Sequence, residues 1–153
     1  MKLWMAGLGM AALMGATPVL EAMAQPSPAA IVTERREGFK AAGDNMTAIA
    51  AVARAGGDPR GTVERIAAVQ AWFATAGTRF PAGTQQGAPG IDTRALPAIW
   101  TDRATFDTAM AAMGPRLTAL REAAVSGNVA NFQAAVQATG AACGDCHRPF
   151  RAR

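Results

Sequence analysis

Both cysteines and the only histidine of this 153-residue chain fall in one run, Cys143-Gly144-Asp145-Cys146-His147. Two thiols three residues apart project from adjacent turns of one helical face. At that spacing each thiol can add to one vinyl group of a haem. The histidine that follows can reach the iron from the same side. The expected cofactor is therefore one haem c, attached through Cys143 and Cys146, with His147 as the proximal axial ligand of the iron. Other chemistries fit less well. A thioredoxin-like pair opens a helix within a βαβ unit. A structural zinc site needs four ligands, and the chain holds no further Cys or His. A disulfide across three residues would constrain little and leave His147 without a role. A haem-free thiol-disulfide oxidoreductase is the remote alternative. No acid–base pair or nucleophile constellation accompanies the motif, so the protein is not expected to be an enzyme.

The elements that must position this motif read as helices. Val32, Phe39, Ala42, Met46, Ile49 and Ala53 recur at three- and four-residue steps after Val32, and predict a helix over 30–54 that Gly56-Gly57 ends. Asp58-Pro59 opens a second helix with Val63, Ile66, Val69, Trp72 and Phe73 on its apolar face, closed by Gly77. Residues 78–97 lose the pattern and carry several Pro and Gly, which predicts a long loop, functional or a crossover on the surface. A third helix starts at Thr101 or Asp102, carries the stripe Phe106, Met110, Met113, Leu117 and Leu120, and runs to Gly127. Asn128 caps a fourth, with Val129, Phe132, Val136 and Cys143 inward. The expected fold is all-α, an antiparallel four-helix bundle with the haem near one end.

Composition agrees. The chain is 50% hydrophobic, mostly through Ala, and 17% charged, which excludes a disordered chain. Two Cys exclude a disulfide-dense mini-protein. The net charge of +4 comes with no basic run, so nucleic acid is not an expected partner. Residues 1–24 have the layout of a cleaved secretory signal: Lys2, an uncharged stretch, then Ala22-Met23-Ala24. Residues 25–29 read as a flexible lead-in and 30–153 as the helical domain. Lys2 and Glu21 leave together, so the exported chain keeps +4. The expected location is the periplasm, without stable membrane insertion after cleavage.

The motif sits close to the C-terminal end of the helical chain. With Arg35 through Met46, with Pro97-Ala98-Ile99-Trp100 followed by Phe106-Asp107, and with Cys143 to Arg151, the chain resembles the class II c-type cytochromes, the cytochrome c′ family. The resemblance runs over essentially all of residues 30–153. It implies a haem inside the bundle near one end. Low-spin members supply a Met ligand from the first helix, in a stretch of the form M-K-x-x-G-x-x-M. Here that stretch reads Phe39-Lys40-Ala41-Ala42-Gly43-Asp44-Asn45-Met46. Phe39 replaces the ligand, which implies a five-coordinate, high-spin haem that binds diatomic gases, NO or CO, or transfers electrons. Met46 lies seven residues on, about 10 Å along the helix. The alternative is a six-coordinate electron carrier with Met46 or another Met on the iron. The resemblance further places Arg35 near the haem propionates and Arg151 beside His147, although Pro149 is expected to end the helix near Arg148. It also implies a homodimer through the first two helices. The redox partner is not named by the sequence.

Overall fold

The computed structural model describes residues 25–153; the leader assigned to residues 1–24 lies outside them. Six helices are present among the described residues: α1 Pro28–Ala55, α2 Val63–Ala76, α3 Ala98–Thr101, α4 Arg103–Ala111, α5 Met113–Ser126 and α6 Val129–Phe150. Single 3-10 turns, Pro59–Thr62 and Gly77–Arg79, flank α2. The described residues contain no strand, only an isolated antiparallel bridge between Ala95 and Arg151.

Local chemistry sets the ends. The Ser27 hydroxyl accepts from the Ala30 amide at 3.2 Å, with Pro28 in the first turn, so α1 begins two residues before the expected start at residue 30. Gly56 ends α1 at φ 63°, a left-handed conformation that favours Gly. The Asp58 carboxylate accepts from the Arg60 amide, and the Asn128 amide oxygen from the Asn131 amide. Short links at 56–58 and 127–128 make α1 and α2, and α5 and α6, antiparallel neighbours.

The third rod departs from the expected single helix. It begins earlier, at Ala98, and is interrupted at Asp102 (φ −126°, ψ 58°) and again at Ala112. Pro115 explains the second break. It has no amide hydrogen to give the Ala111 carbonyl, and its ring collides with that carbonyl in a continuous helix. Pro149 acts differently. It removes one bond from α6, yet the helix runs on to Phe150, and the Arg151 amide donates to the His147 carbonyl at 3.0 Å. The expected end near Arg148 is thus too early.

Four rods, α1, α2, α4–α5 and α6, form the antiparallel four-helix bundle. Contacting sides run α1 to α2, α2 to α5, α5 to α6 and α6 back to α1. The main core holds Ala42, Ile49, Ala53, Ile66, Val69, Met113, Leu117, Leu120, Ala124 and Phe132. Burying each of the larger side chains stabilises the fold by about 1.5–3 kcal/mol before entropy is counted. A second, aromatic cluster of Phe80, Ile99, Phe106 and Phe150 gathers at the end of the bundle where α6 stops.

Candidate haem site

The Cys143 and Cys146 side chains stand one turn apart on α6 and meet different cores. Cys143 packs against the main core and Cys146 against the aromatic cluster. Both are half-buried and neither forms a disulfide. Burial pushes both thiols up, and for Cys146 the neighbouring Cys143 adds to the effect. His147 follows on the exposed side of the helix. Burial of its ring, and secondarily the charge of Arg94, holds the imidazole below its ordinary range.

A chain of rings crosses from α1 to α6 at this end. Centroids lie 6.2 Å apart from Phe39 to Phe80, 4.8 Å from Phe80 to Phe106 and 5.4 Å from Phe106 to Phe150. Phe39 also meets Trp72 edge-on at 5.4 Å and Phe73 at 5.9 Å. Trp72 lies so close over Gly38 that a Cβ there would fall 2.2 Å from its ring. This close approach explains a Gly inside α1, where Ala would otherwise favour the helix.

The long loop is a strap over the aromatic end. Arg35 fixes its first half. One guanidinium nitrogen donates to the Arg79 carbonyl and the Thr84 hydroxyl, both at 3.0 Å. The other donates to the Thr84 carbonyl at 2.8 Å and the Thr93 hydroxyl at 2.9 Å. The same guanidinium lies 4.5 Å over the Phe80 ring. Burial lowers the Arg35 pKa to about 10. The Trp100 indole donates to the Pro81 carbonyl at 3.0 Å. The second half of the strap pairs with the end of α6: the Leu96 amide donates to the Phe150 carbonyl and the Ala152 amide to the Arg94 carbonyl.

The structure therefore sorts the residues singled out from sequence. Phe39 and Cys146 adjoin one aromatic cluster, and Met110 packs against it too. Met46 packs against the main core. His147 and Arg151 line a shared cavity of about 260 Å³ with Arg94, Gly144, Arg148, Ala152 and Arg153. Arg35 is buried and both its terminal nitrogens donate to the strap, one ring away from Phe39. Arg94 was not legible in the sequence. It sits in the segment without periodicity, and only the pairing of the strap with residues 150–152 brings it to His147.

These surroundings fit a haem. Flat aromatic faces suit a macrocycle, and two unpaired thiols with a histidine on the next position suit its attachment. The buried Trp72 indole N–H has no acceptor among the described residues, a donor open to a polar edge or ligand of such a group. Among the described residues no group of three His, Cys, Asp or Glu side chains is arranged to hold a metal ion on its own.

Fold and site together define a monohaem c-type cytochrome built on a four-helix bundle. The family model described as cytochrome c′ matches residues 30–151. Cytochrome c′ of Pararhodospirillum photometricum is 30% identical over 130 residues, spanning 82% of this chain and 98% of that protein. Cytochrome c-556 of Agrobacterium tumefaciens strain II Chrys is 34% identical over 121 residues, 77% of this chain and 94% of that one. The crystal structure of cytochrome c′ from Rubrivivax gelatinosus superposes with a TM-score of 0.73 at 30% identity, covering 82% of this chain and 97% of that one. The chain belongs to the cytochrome c′ family. Its cofactor is haem c, attached through Cys143 and Cys146.

Proposed function

We propose that this protein is a periplasmic cytochrome whose haem iron is held by His147, is high-spin and five-coordinate, and binds NO or CO on the side of Phe39. One observation carries the reading: the α1 residue presented to the aromatic cluster shared with Cys146 is Phe39, whose ring cannot coordinate iron. When bound, the haem supplies an iron that changes between ferric and ferrous and takes up a small ligand at an open face. Cys143 and Cys146 hold the ring in one orientation. His147 would hold the iron. Phe39, with Trp72 and Phe73 packed edge-on against it, would keep water from that face. Arg151, from the cavity beside His147, places a positive charge next to the proximal ligand. The Arg35 role is positional, because its donors hold the strap against Phe80. The protein acts by binding and electron transfer rather than by turnover.

Export follows from the leader read in residues 1–24; the expected lead-in of 25–29 shortens to 25–27, because Ser27 caps α1 and Pro28 opens it. No helix among the described residues is long and apolar enough to cross a membrane. Self-association through α1 and α2 belongs to the same reading and rests on family membership.

Met110 supports a second reading, because it is the thioether that meets the same cluster as Cys146. There the protein is a six-coordinate, low-spin electron carrier. The visible spectrum separates the two. A covalent haem band must survive denaturing electrophoresis. The ferrous protein is expected to take up CO with a clear Soret shift. A low-spin spectrum in both oxidation states, unchanged under CO, overturns the gas-binding reading in favour of a Met ligand.

A further inference from the structure

Six cations among the described residues are matched in ion pairs. Ion pairs join Arg36 to Asp92, Lys40 to Asp44, Arg60 to Asp58, Arg79 to Glu34, Arg103 to Asp107 and Arg148 to Asp145. Arg94, Arg151 and Arg153 make no ion pair among the described residues, and all three line the cavity beside His147. They come from the strap, the residue after α6 and the tail, so no single charged run in the sequence announces them. The acids nearest in sequence, Asp92 and Asp145, are taken by Arg36 and Arg148. Other arginines outside the ion pairs, Arg54, Arg65, Arg116 and Arg121, do not line it, so three unmatched guanidinium groups are gathered at one mouth.

That mouth is also where the His147 ring reaches the surface. If His147 holds the iron, its exposure among these guanidinium groups would give a short path from the surface to the redox centre. Guanidinium forks match carboxylates in paired, charge-assisted bonds. Unpaired charge around such a path steers an oppositely charged partner and raises its encounter rate. The surface is a shallow rim spread over three chain segments, as suits the face of another protein. We propose that the arginine rim formed by Arg94, Arg151 and Arg153 around His147 is the docking surface for an acidic electron-transfer protein. This rests on the haem reading above.

Small inorganic oxidants test it on the reduced holoprotein by stopped flow. One electron passes from the ferrous protein to hexacyanoferrate(III), giving the ferric protein and hexacyanoferrate(II), with no bond formed or broken. Tris(phenanthroline)cobalt(III) is the cationic counterpart, reduced by one electron to cobalt(II). The rate with the anion is expected to fall with added salt and the rate with the cation to rise. Arg94→Glu and Arg153→Glu are each expected to lower the anion rate at low salt by about threefold or more. Arg121→Glu, on α5 toward the opposite end of the bundle, changes the net charge equally and should have a much smaller effect. Polyglutamate is expected to inhibit the hexacyanoferrate(III) reaction of the wild type and lose that effect in Arg94→Glu. Redox-inert hexacyanocobaltate(III) should bind by calorimetry and weaken in the same variant.

Equal effects of all three reversals, in protein that carries covalent haem, overturn the docking surface alone. So does hexacyanocobaltate(III) binding with no inhibition by polyglutamate, which would mark a small-anion site only. Absence of covalent haem overturns the functional reading beneath it.

Discussion

Replacing Arg35 separates two roles for a buried guanidinium, holding the strap or meeting the cofactor. Four donor–acceptor contacts of 2.8–3.0 Å tie it to Arg79, Thr84 and Thr93. Charge-assisted bonds contribute roughly 1.5–2 kcal/mol each, or about 6–8 kcal/mol together. Against this stands the desolvation that lowers the Arg35 pKa to about 10, roughly 3 kcal/mol. Arg35→Ala removes both terms and leaves the buried Thr84 without its charged partner, so the net loss is about 4 kcal/mol. Arg35→Lys keeps the charge but loses the planar fork, and should cost about half as much. Urea unfolding of the holoprotein, followed by circular dichroism, reads the stability. For a domain of this size the melting temperature should fall by about 15 °C in Arg35→Ala. Limited proteolysis should move to residues 80–93 in the same variant. Stability within about 1 kcal/mol of wild type, with the strap no more sensitive to protease, would refute the assignment.

Phe39→Met should carry the iron toward low spin and weaken CO uptake, while Met110→Leu should leave the spectrum as it is; the visible spectra of both variants check this. Gly38→Ala forces a methyl into the Trp72 ring and should cost about 1–3 kcal/mol by urea unfolding, with a change in tryptophan fluorescence. The His147 pKa in the haem-free chain should lie below the ordinary value and rise in Arg94→Gln, as followed by proton NMR. The sign for stability follows. The lowered folded pKa means the unfolded chain binds more protons near pH 6–7. Stability of that chain should therefore increase as pH rises through the window, and the increase should shrink in Arg94→Gln.

The haem attachment was plain from sequence because it is local: residue types and spacing within one turn of α6 state the chemistry. The rods were plain for a similar reason, since Ile49, Ile66, Val69, Leu117 and Phe132 repeat with the helix and do fill the core. The third rod shows where periodicity falls short. The stripe from Phe106 to Leu120 runs through Pro115 as if the helix were continuous, yet the Ala111 carbonyl cannot be satisfied there. Its two halves serve different clusters, Phe106 the aromatic one and Leu117 the main one. Pro149 misleads in the opposite sense, because one missing amide near a helix end costs little when Phe150 is buried beyond it. The strap was legible as a loop but not as a structure. Its anchors, Arg35 to Thr84 and Leu96 to Phe150, span 49 and 54 residues, and nothing local encodes partners that far apart. Arg35 is the clearest case: the resemblance pointed to propionates, whereas the guanidinium is committed to the loop.

The pairing of residues 94–96 with 150–152 also sets an order in time. A chain that emerges N-terminus first can bring α1 against α2 early, because their link is short. The strap can settle over the aromatic rings only after the final turn of α6 and the residues behind it have been made. The thiols arrive in that same last stretch. Until then the end of the bundle that receives the haem has no closed roof, so strap closure and the arrival of both thiols fall within one late interval.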